Sequence, residues 1–202
     1  MDWDVYNRAT AAMYEGRPKE TLWLYQSLTD NVETEDERAV LLTACGGCYA
    51  RLGNREEAFH CIAAAHSLRV VDSIVRSQID LAEGNLHLLC GDYERAAQMF
   101  TEIAISYRDE LGDPEQQDFA QELKSRYADS LTFLGRYSEA IPLLRELVAA
   151  NSEYRQRSLL YLGICLANSG SIAEGRDALA QAARGEDAQT ASEARERLAQ
   201  LI

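Results

Sequence analysis

The chain has 202 residues, of which 47% are hydrophobic and 26% are charged, and its formal net charge is −13. This composition is typical of a folded protein, and the acidic charge disfavours binding to nucleic acid or to an anionic membrane. The sequence has no run of about eighteen apolar residues, its N-terminus lacks a signal-peptide pattern, and its five cysteines are an odd number, so we expect a cytoplasmic protein with reduced thiols.

Apolar residues recur at spacings of three and four along the chain, which predicts amphipathic helices. The predicted helices pair along the chain at 3–15 with 18–30, 36–52 with 55–69, 73–90 with 93–111, 116–134 with 138–151, and 154–169 with 172–184. A last helix is predicted over 187–202, where one face is apolar and the others are charged, as in the cap of a repeat array. We therefore expect an all-α fold.

Glycines divide these helix pairs in a common frame, at Gly16, Gly53, Gly91, Gly135 and Gly170, with intervals of 37, 38, 44 and 35 residues. A small residue lies seven positions before each glycine and another five positions after it. A glycine ends a helix at low cost because it accepts the left-handed backbone conformation, and small residues let two helices approach closely. The frame thus predicts five helical hairpins that must stack, because none can bury its apolar stripe alone.

Two of these turns read Gly-Asp-Tyr-Glu-Arg-Ala (Gly91–Ala96) and Gly-Arg-Tyr-Ser-Glu-Ala (Gly135–Ala140), and a Leu162–Gly163 pair precedes Gly170. They resemble the hairpins of tetratricopeptide (TPR) repeats. The resemblance implies a right-handed α-α superhelical solenoid in one domain, 1–202, with repeats at about 3–30, 36–69, 73–111, 116–151 and 154–184 and a cap helix at 187–202. The 44-residue interval resembles the longer repeats of kinesin-light-chain type and implies longer helices or a looser connection.

The sequence offers little material for catalysis. Cys45-Gly-Gly-Cys48 has the spacing of a redox motif or of half a zinc site, with His60 and Cys61 as further ligands. It lies within a predicted helix at small-residue positions, which favours packing. Glu57 and His60 have the spacing of one di-iron motif, but a second copy is missing, so we expect a solvated helix face. We expect no enzymatic activity, no cofactor and no metal site.

In TPR proteins the first helix of each hairpin lines a concave groove. The resemblance therefore implies a largely apolar and aromatic peptide groove, for which the candidate residues are Trp3, Tyr6, Tyr14, Leu81, Asn85, Leu88, Thr132, Phe133, Arg157, Leu160 and Ile164. The clamp that binds chaperone C-termini needs lysine and asparagine at set positions, of which only Asn85 is present here. Alternatively, these residues pack within the chain or against a second copy.

Two functions follow from the predicted groove. The first is an adaptor that binds a peptide or an amphipathic helix of a partner protein. The second is a regulatory sensor that binds a small peptide or effector and signals through a partner protein. Either function predicts a protein or peptide partner, with no nucleic acid and no membrane, and a homodimer is a further possibility.

Overall fold

The chain folds into helices whose bounds lie within three residues of the predicted ones, apart from the helix predicted over 93–111. The computed structural model describes residues 1–150 and 153–201, except for the side chains of Tyr14, Asp30 and Glu110. The helices are α1 (Trp3–Tyr14), α2 (Pro18–Ser27), α3 (Glu35–Arg51), α4 (Arg55–His66), α5 (Ser73–Leu89), α6 (Tyr93–Ser106), α7 (Arg108–Leu111), α8 (Gln117–Phe133), α9 (Tyr137–Ala149), α10 (Arg155–Asn168), α11 (Ile172–Ala182) and α12 (Ala188–Gln200). No strand occurs among the described residues, so the predicted all-α helical-repeat solenoid is confirmed.

Five helices of the described part of the chain begin directly after a side chain that caps them. The capping residues are Asp2, Thr34, Asp72, Asp92 and Asp187, before α1, α3, α5, α6 and α12. Each side chain accepts a hydrogen bond from a backbone N–H in the first turn, where no intrahelical partner exists. By contrast, α2, α4, α9 and α11, which each follow a glycine turn, begin without a side-chain cap.

The five predicted glycines end the first helices in the same way. Their φ angles lie between 72° and 91°. In each turn the glycine N–H donates to the carbonyl three residues earlier at 3.1 Å, and the next N–H donates to the carbonyl four residues before the glycine at 2.8–2.9 Å. This pair of bonds is the Schellman motif, which needs a left-handed residue at the glycine position. The predicted equivalence of the five turns is confirmed.

Two alternatives were predicted for the 44-residue interval, longer helices or a looser connection, and the structure shows the looser connection. The single helix predicted over 93–111 is wrong, because α6 ends at Ser106 and α7 forms a separate turn that ends at Leu111. Asp113 then accepts a hydrogen bond from the Glu115 N–H at 3.0 Å and starts a 3₁₀ turn at Pro114. Proline disfavours the helical conformation in the residue before it, which prevents a continuous helix from reaching α8.

The chain divides into two compact units, Met1–Met99 and Phe100–Ile202. The core of the first unit contains one cluster around Leu24, Leu28, Leu41 and Cys48 and another around Ala39, Ile62, Ile79 and Leu86. The core of the second unit joins apolar residues of α8 to α12, among them Leu131, Leu144, Leu159, Leu166, Leu179 and Ala194. Each cluster takes side chains from successive hairpins, which is how hairpins that are unstable alone stabilise one another.

Among the described residues, no helix combines the length and the apolar composition that crossing a lipid bilayer requires.

Candidate peptide-binding surfaces

In the second unit, α8 and α12 both contact α10. Asp129 of α8 is only 1% exposed and bonds to Arg157 of α10. Its Oδ2 accepts hydrogen bonds from Arg157 Nε at 3.0 Å and from Arg157 Nη2 at 2.8 Å, while its Oδ1 is buried and accepts none from the described residues. Burial raises the pKa of the Asp129 carboxyl, and the Arg157 guanidinium only partly opposes this rise.

The Arg157 side chain is 41% exposed, so the ion pair has one buried and one accessible partner. The guanidinium carbon lies 5.2 Å from the ring centroid of Tyr161, and Nη2 donates to the Tyr161 hydroxyl at 3.4 Å. Burial raises the pKa of Tyr161 to about 12, so its phenol is neutral at physiological pH. Asp129 and Tyr161 together hold the cation at the surface in one orientation.

Phe133 extends this surface by an aromatic ring. Its centroid lies 5.8 Å from that of Tyr161, with the two ring planes at 72°. The Phe133 side chain is 48% exposed although its edge contact with Tyr161 holds the ring in place. We call the surface formed by Arg157, Phe133 and the supporting residues Asp129 and Tyr161 the α8–α10 face.

The first unit carries an aromatic cluster at the start of α1. The Trp3 and Tyr6 rings meet edge to face at 5.6 Å, and Tyr6 lies 5.3 Å from the ring of Tyr25. Tyr25 is buried, and its hydroxyl forms a hydrogen bond of 3.0 Å with Thr10 Oγ1. Trp3 itself is 55% exposed. The cluster therefore presents one indole supported by two tyrosines.

The structure places the predicted groove residues in three different environments. Trp3, Phe133 and Arg157 expose a large part of their side chains, whereas Tyr6, Asn85, Leu88 and Ile164 are half-buried. Leu81, Thr132 and Leu160 are buried, and in this conformation they offer no surface to a ligand. The side chain of Tyr14 lies outside the described residues.

Helix packing explains the burial of these residues in the second unit. Leu160 belongs to the apolar core that joins α8 to α12. The Thr132 hydroxyl donates to the Ala128 carbonyl at 2.8 Å and lies 3.2 Å from Cys165 Sγ of α10, so it faces the neighbouring helix. Both residues are predicted from the sequence to line an open groove. The structure corrects this prediction, because the contact between α8 and α10 buries them.

The cysteines of the first unit lie in its core. Cys45 and Cys48 are buried, and Cys61 packs against the same cluster from α4. Burial raises the pKa of Cys45 to about 12 and that of Cys48 to about 11, so both are neutral thiols at physiological pH. His60 is exposed on α4, apart from this core. The geometry thus supports packing over the redox and zinc interpretations.

Solved structures with a similar fold are repeat proteins. The TPR-like repeats of a kinesin light chain from Podospora anserina match with a TM-score of 0.63 and 16% identity, over 89% of this chain and 92% of that one. PlcR of Bacillus thuringiensis, solved with the peptide PapR7 and DNA, matches with a TM-score of 0.75 and 18% identity, over 98% of this chain and 73% of that one. YrrB, a TPR protein with an unusual peptide-binding site, matches with a TM-score of 0.58 and 13% identity, over 95% of this chain and 90% of that one.

The fold is TPR-like. At these identities the likeness concerns the fold and not the bound partners. No family model matches the sequence, and no curated protein matches it as a relative. Within this TPR-like fold, α8 and α10 are first helices of successive hairpins, as the resemblance of the sequence implied.

Tyr161 is a site residue that the sequence analysis missed. It is only 7% exposed, and the predicted groove does not include it. A signal was present, because Arg157 and Tyr161 are four residues apart and therefore share one face of a helix. The pairing of Arg157 with Asp129 needed the contact between two separate helices and could not be read from spacing.

Proposed function

We propose that this protein is a non-catalytic adaptor that binds a peptide or an amphipathic helix of a partner protein. The binding surface is formed by the first helices of its TPR-like hairpins. Among proteins of similar fold, PlcR was solved with a peptide, and YrrB is described by its peptide-binding site. The proposal extends that mode of recognition to this chain.

One observation carries the proposal, namely exposed aromatic rings held in place by other rings. Trp3 rests on Tyr6 in the first unit, and Phe133 rests on Tyr161 in the second. A ring that is already ordered loses little conformational entropy when a ligand covers it. Exposed aromatic side chains of this kind are common energetic centres of protein interfaces.

An array of random 15-residue peptides, probed with labelled protein, tests this function. Trp3→Ala and Phe133→Ala should each lower the signal of the peptides that bind the wild type by about tenfold, the range of a moderate hot spot. Trp23→Ala is the matched control, because Trp23 is a 66% exposed tryptophan on α2, a second helix. Its loss should leave the signals unchanged.

Two results would reject the adaptor function. One is an array on which no peptide binds the wild type above background. The other is an equal loss for Trp23→Ala and for the two test variants, which would indicate non-specific adhesion to aromatic surface. Size-exclusion chromatography of the same samples shows whether a homodimer covers the rings, in which case the elution volume depends on Trp3 or Phe133.

The second candidate function is a regulatory sensor of a small peptide or effector. The match to PlcR, which was solved with a peptide and with DNA, favours it because it extends over 98% of this chain. A sensor should change its conformation when it binds, whereas an adaptor need not. Hydrogen exchange of wild-type protein with and without an array-derived peptide separates the two, because a sensor changes protection at amides far from the contact.

We also propose that the protein is cytoplasmic. This location is supported by Cys45, Cys48, Cys61, Cys90 and Cys165, which are free thiols and would stay reduced in such a compartment. Fractionation of the native cell, followed with an antibody to the chain, tests this location.

A further inference from the structure

The charge of α10 differs from that of the whole chain. Its sequence includes Arg155 and Arg157 but no acidic residue, although the net charge of the protein is −13. The surface carboxylates near Arg157 have partners of their own. Glu193 lies 3.7 Å from Arg197, and the Asp187 carboxylate accepts hydrogen bonds from the Gln189 and Thr190 N–H groups. Arg157 is thus an accessible cation whose neighbouring surface carboxylates already have partners.

Only some of the N–H donors of the Arg157 guanidinium form hydrogen bonds within the described part of the protein. Its Nε and Nη2 donate to Asp129, and Nη2 also reaches the Tyr161 hydroxyl. Nη1 makes no hydrogen bond with the described residues, and the side chain is 41% exposed. Because the buried carboxylate of Asp129 fixes the orientation of the planar guanidinium, Nη1 remains available to donate a hydrogen bond to a ligand.

The register of α8 and α10 places an apolar position beside this cation. Asp129 contacts Arg157 and Phe133 contacts Tyr161, and each pair is 28 residues apart, so the two helices run parallel. Phe133 lies four residues beyond Asp129, about one helical turn or roughly 5–6 Å along the axis. The α8–α10 face therefore presents a cation and an exposed ring at a defined spacing.

We propose that Arg157 binds a carboxylate of the peptide ligand and that Phe133 contacts a large apolar side chain about one helical turn away from it. This inference rests on the proposed function, which it makes chemically specific. Guanidinium and carboxylate form charge-assisted hydrogen bonds, and the stack on Tyr161 keeps the cation in place while the bonds form. The carboxylate is that of a glutamate or aspartate side chain of the peptide.

Synthetic peptides in matched pairs test the proposal by fluorescence polarisation. The first set contains helical peptides with a phenylalanine and, four residues later, either glutamate or glutamine. The second set contains short peptides that end in phenylalanine, either as the free acid or as the amide. For wild-type protein we expect the glutamate peptide of the first set to bind about tenfold more tightly than its glutamine partner. A preference confined to the second set assigns the carboxylate to the peptide C-terminus and overturns the proposal of a side-chain carboxylate.

Two variants assign this preference to Arg157. The double variant Asp129→Asn with Arg157→Gln replaces both charges with neutral amides, and it should bind the charged and neutral peptides equally. Arg157→Lys keeps a cation opposite Asp129 but loses the fork, so the preference should fall to about threefold or less even if the double variant does not fold. Arg145→Gln is the control, because Arg145 lies on α9 in an exposed ion pair with Glu174.

The outcomes separate the inference from the function on which it rests. Equal binding of charged and neutral peptides to wild-type protein overturns the carboxylate site but leaves the adaptor intact. A preference that persists in the double variant assigns the carboxylate to another cation and also overturns the proposal for Arg157. If no peptide of either set or of the random array binds, both the inference and the adaptor function fail.

Discussion

Asp129 lies in the interior of the second unit, where it is 1% exposed and is bound by Arg157 on one carboxylate oxygen. Taking a carboxylate out of water costs several kcal/mol, and a cation with good geometry repays much of that cost. Arg157 reaches the solvent and can be rehydrated when it is alone, whereas Asp129 cannot. Removal of the arginine alone should therefore destabilise the protein more than removal of both charges.

We expect Arg157→Ala to lower the free energy of unfolding by about 3 kcal/mol, because it leaves the Asp129 charge buried without a partner. The double variant Asp129→Asn with Arg157→Gln should lose about 1 kcal/mol or less, since two neutral amides replace the ions. Urea unfolding followed by circular dichroism measures both values.

Arg145→Ala provides the reference for this prediction. Arg145 forms an exposed ion pair with Glu174 at 3.1 Å, so its loss should cost less than about 0.5 kcal/mol. If Arg157→Ala costs no more than Arg145→Ala, the Asp129 carboxyl is neutral or hydrated in the native state, and the interaction described above does not stabilise the unit.

The hairpins depend on small residues where two helices come close. A Cβ atom at Gly163 of α10 would lie 2.6 Å from Leu179 Cγ and 2.9 Å from the Gly175 carbonyl oxygen of α11. At Gly46 of α3 it would lie 3.2 Å from the Ala58 carbonyl oxygen of α4. Gly47, the neighbour of Gly46 on α3, has no atom within 4 Å of such a Cβ. Of these two adjacent glycines of α3, packing therefore constrains Gly46 but not Gly47.

We expect Gly163→Ala to destabilise the protein by about 1–3 kcal/mol, because α10 and α11 must separate to make room for the methyl group. Gly47→Ala should stabilise it by up to about 1 kcal/mol, since alanine is the better helix former and the space is open. Thermal unfolding of the two variants beside wild type measures both effects. A stabilising Gly163→Ala would contradict the packing described for this hairpin.

The helix ends illustrate how far local sequence predicts an element. The Schellman turns at Gly16, Gly53, Gly91, Gly135 and Gly170 were predictable because a glycine frame repeats along the chain. The break after Ser106 was not, since the apolar pattern continues past Tyr107 and only the separate α7 shows the interruption. Amphipathic spacing indicates which segments are helical, but it is a weak guide to where a long helix is interrupted.

The whole chain carries 33 acidic and 20 basic residues, and most of its charged side chains lie at the surface. Like charges spread over a folded surface repel one another and reduce its stability. Dissolved salt shortens the range of this repulsion, from more than 10 Å at low ionic strength to about 3 Å at 1 M. The surface ion pairs lose some attraction as well, but each of them contributes little.

We expect the melting temperature to rise by a few degrees between about 0.05 M and 0.5 M sodium chloride, because the acidic excess is screened. Differential scanning calorimetry measures the shift. The double variant Glu186→Gln with Glu196→Gln, at two exposed positions, should show a smaller salt dependence. A melting temperature that falls with salt would mean that the ion pairs outweigh the net repulsion.

Local chemistry was sufficient to predict the hairpins, since the glycine turns and the amphipathic spacing each act within one or two helical turns of the chain. The resemblance to TPR repeats implied in addition that Arg157 and Phe133 belong to a surface. The burial of Thr132 and Leu160 and the pairing of Arg157 with Asp129 depend instead on how closely α8 and α10 pack. The distance between α8 and α10 is set by side chains that are far apart in the sequence, so only the tertiary structure determines it.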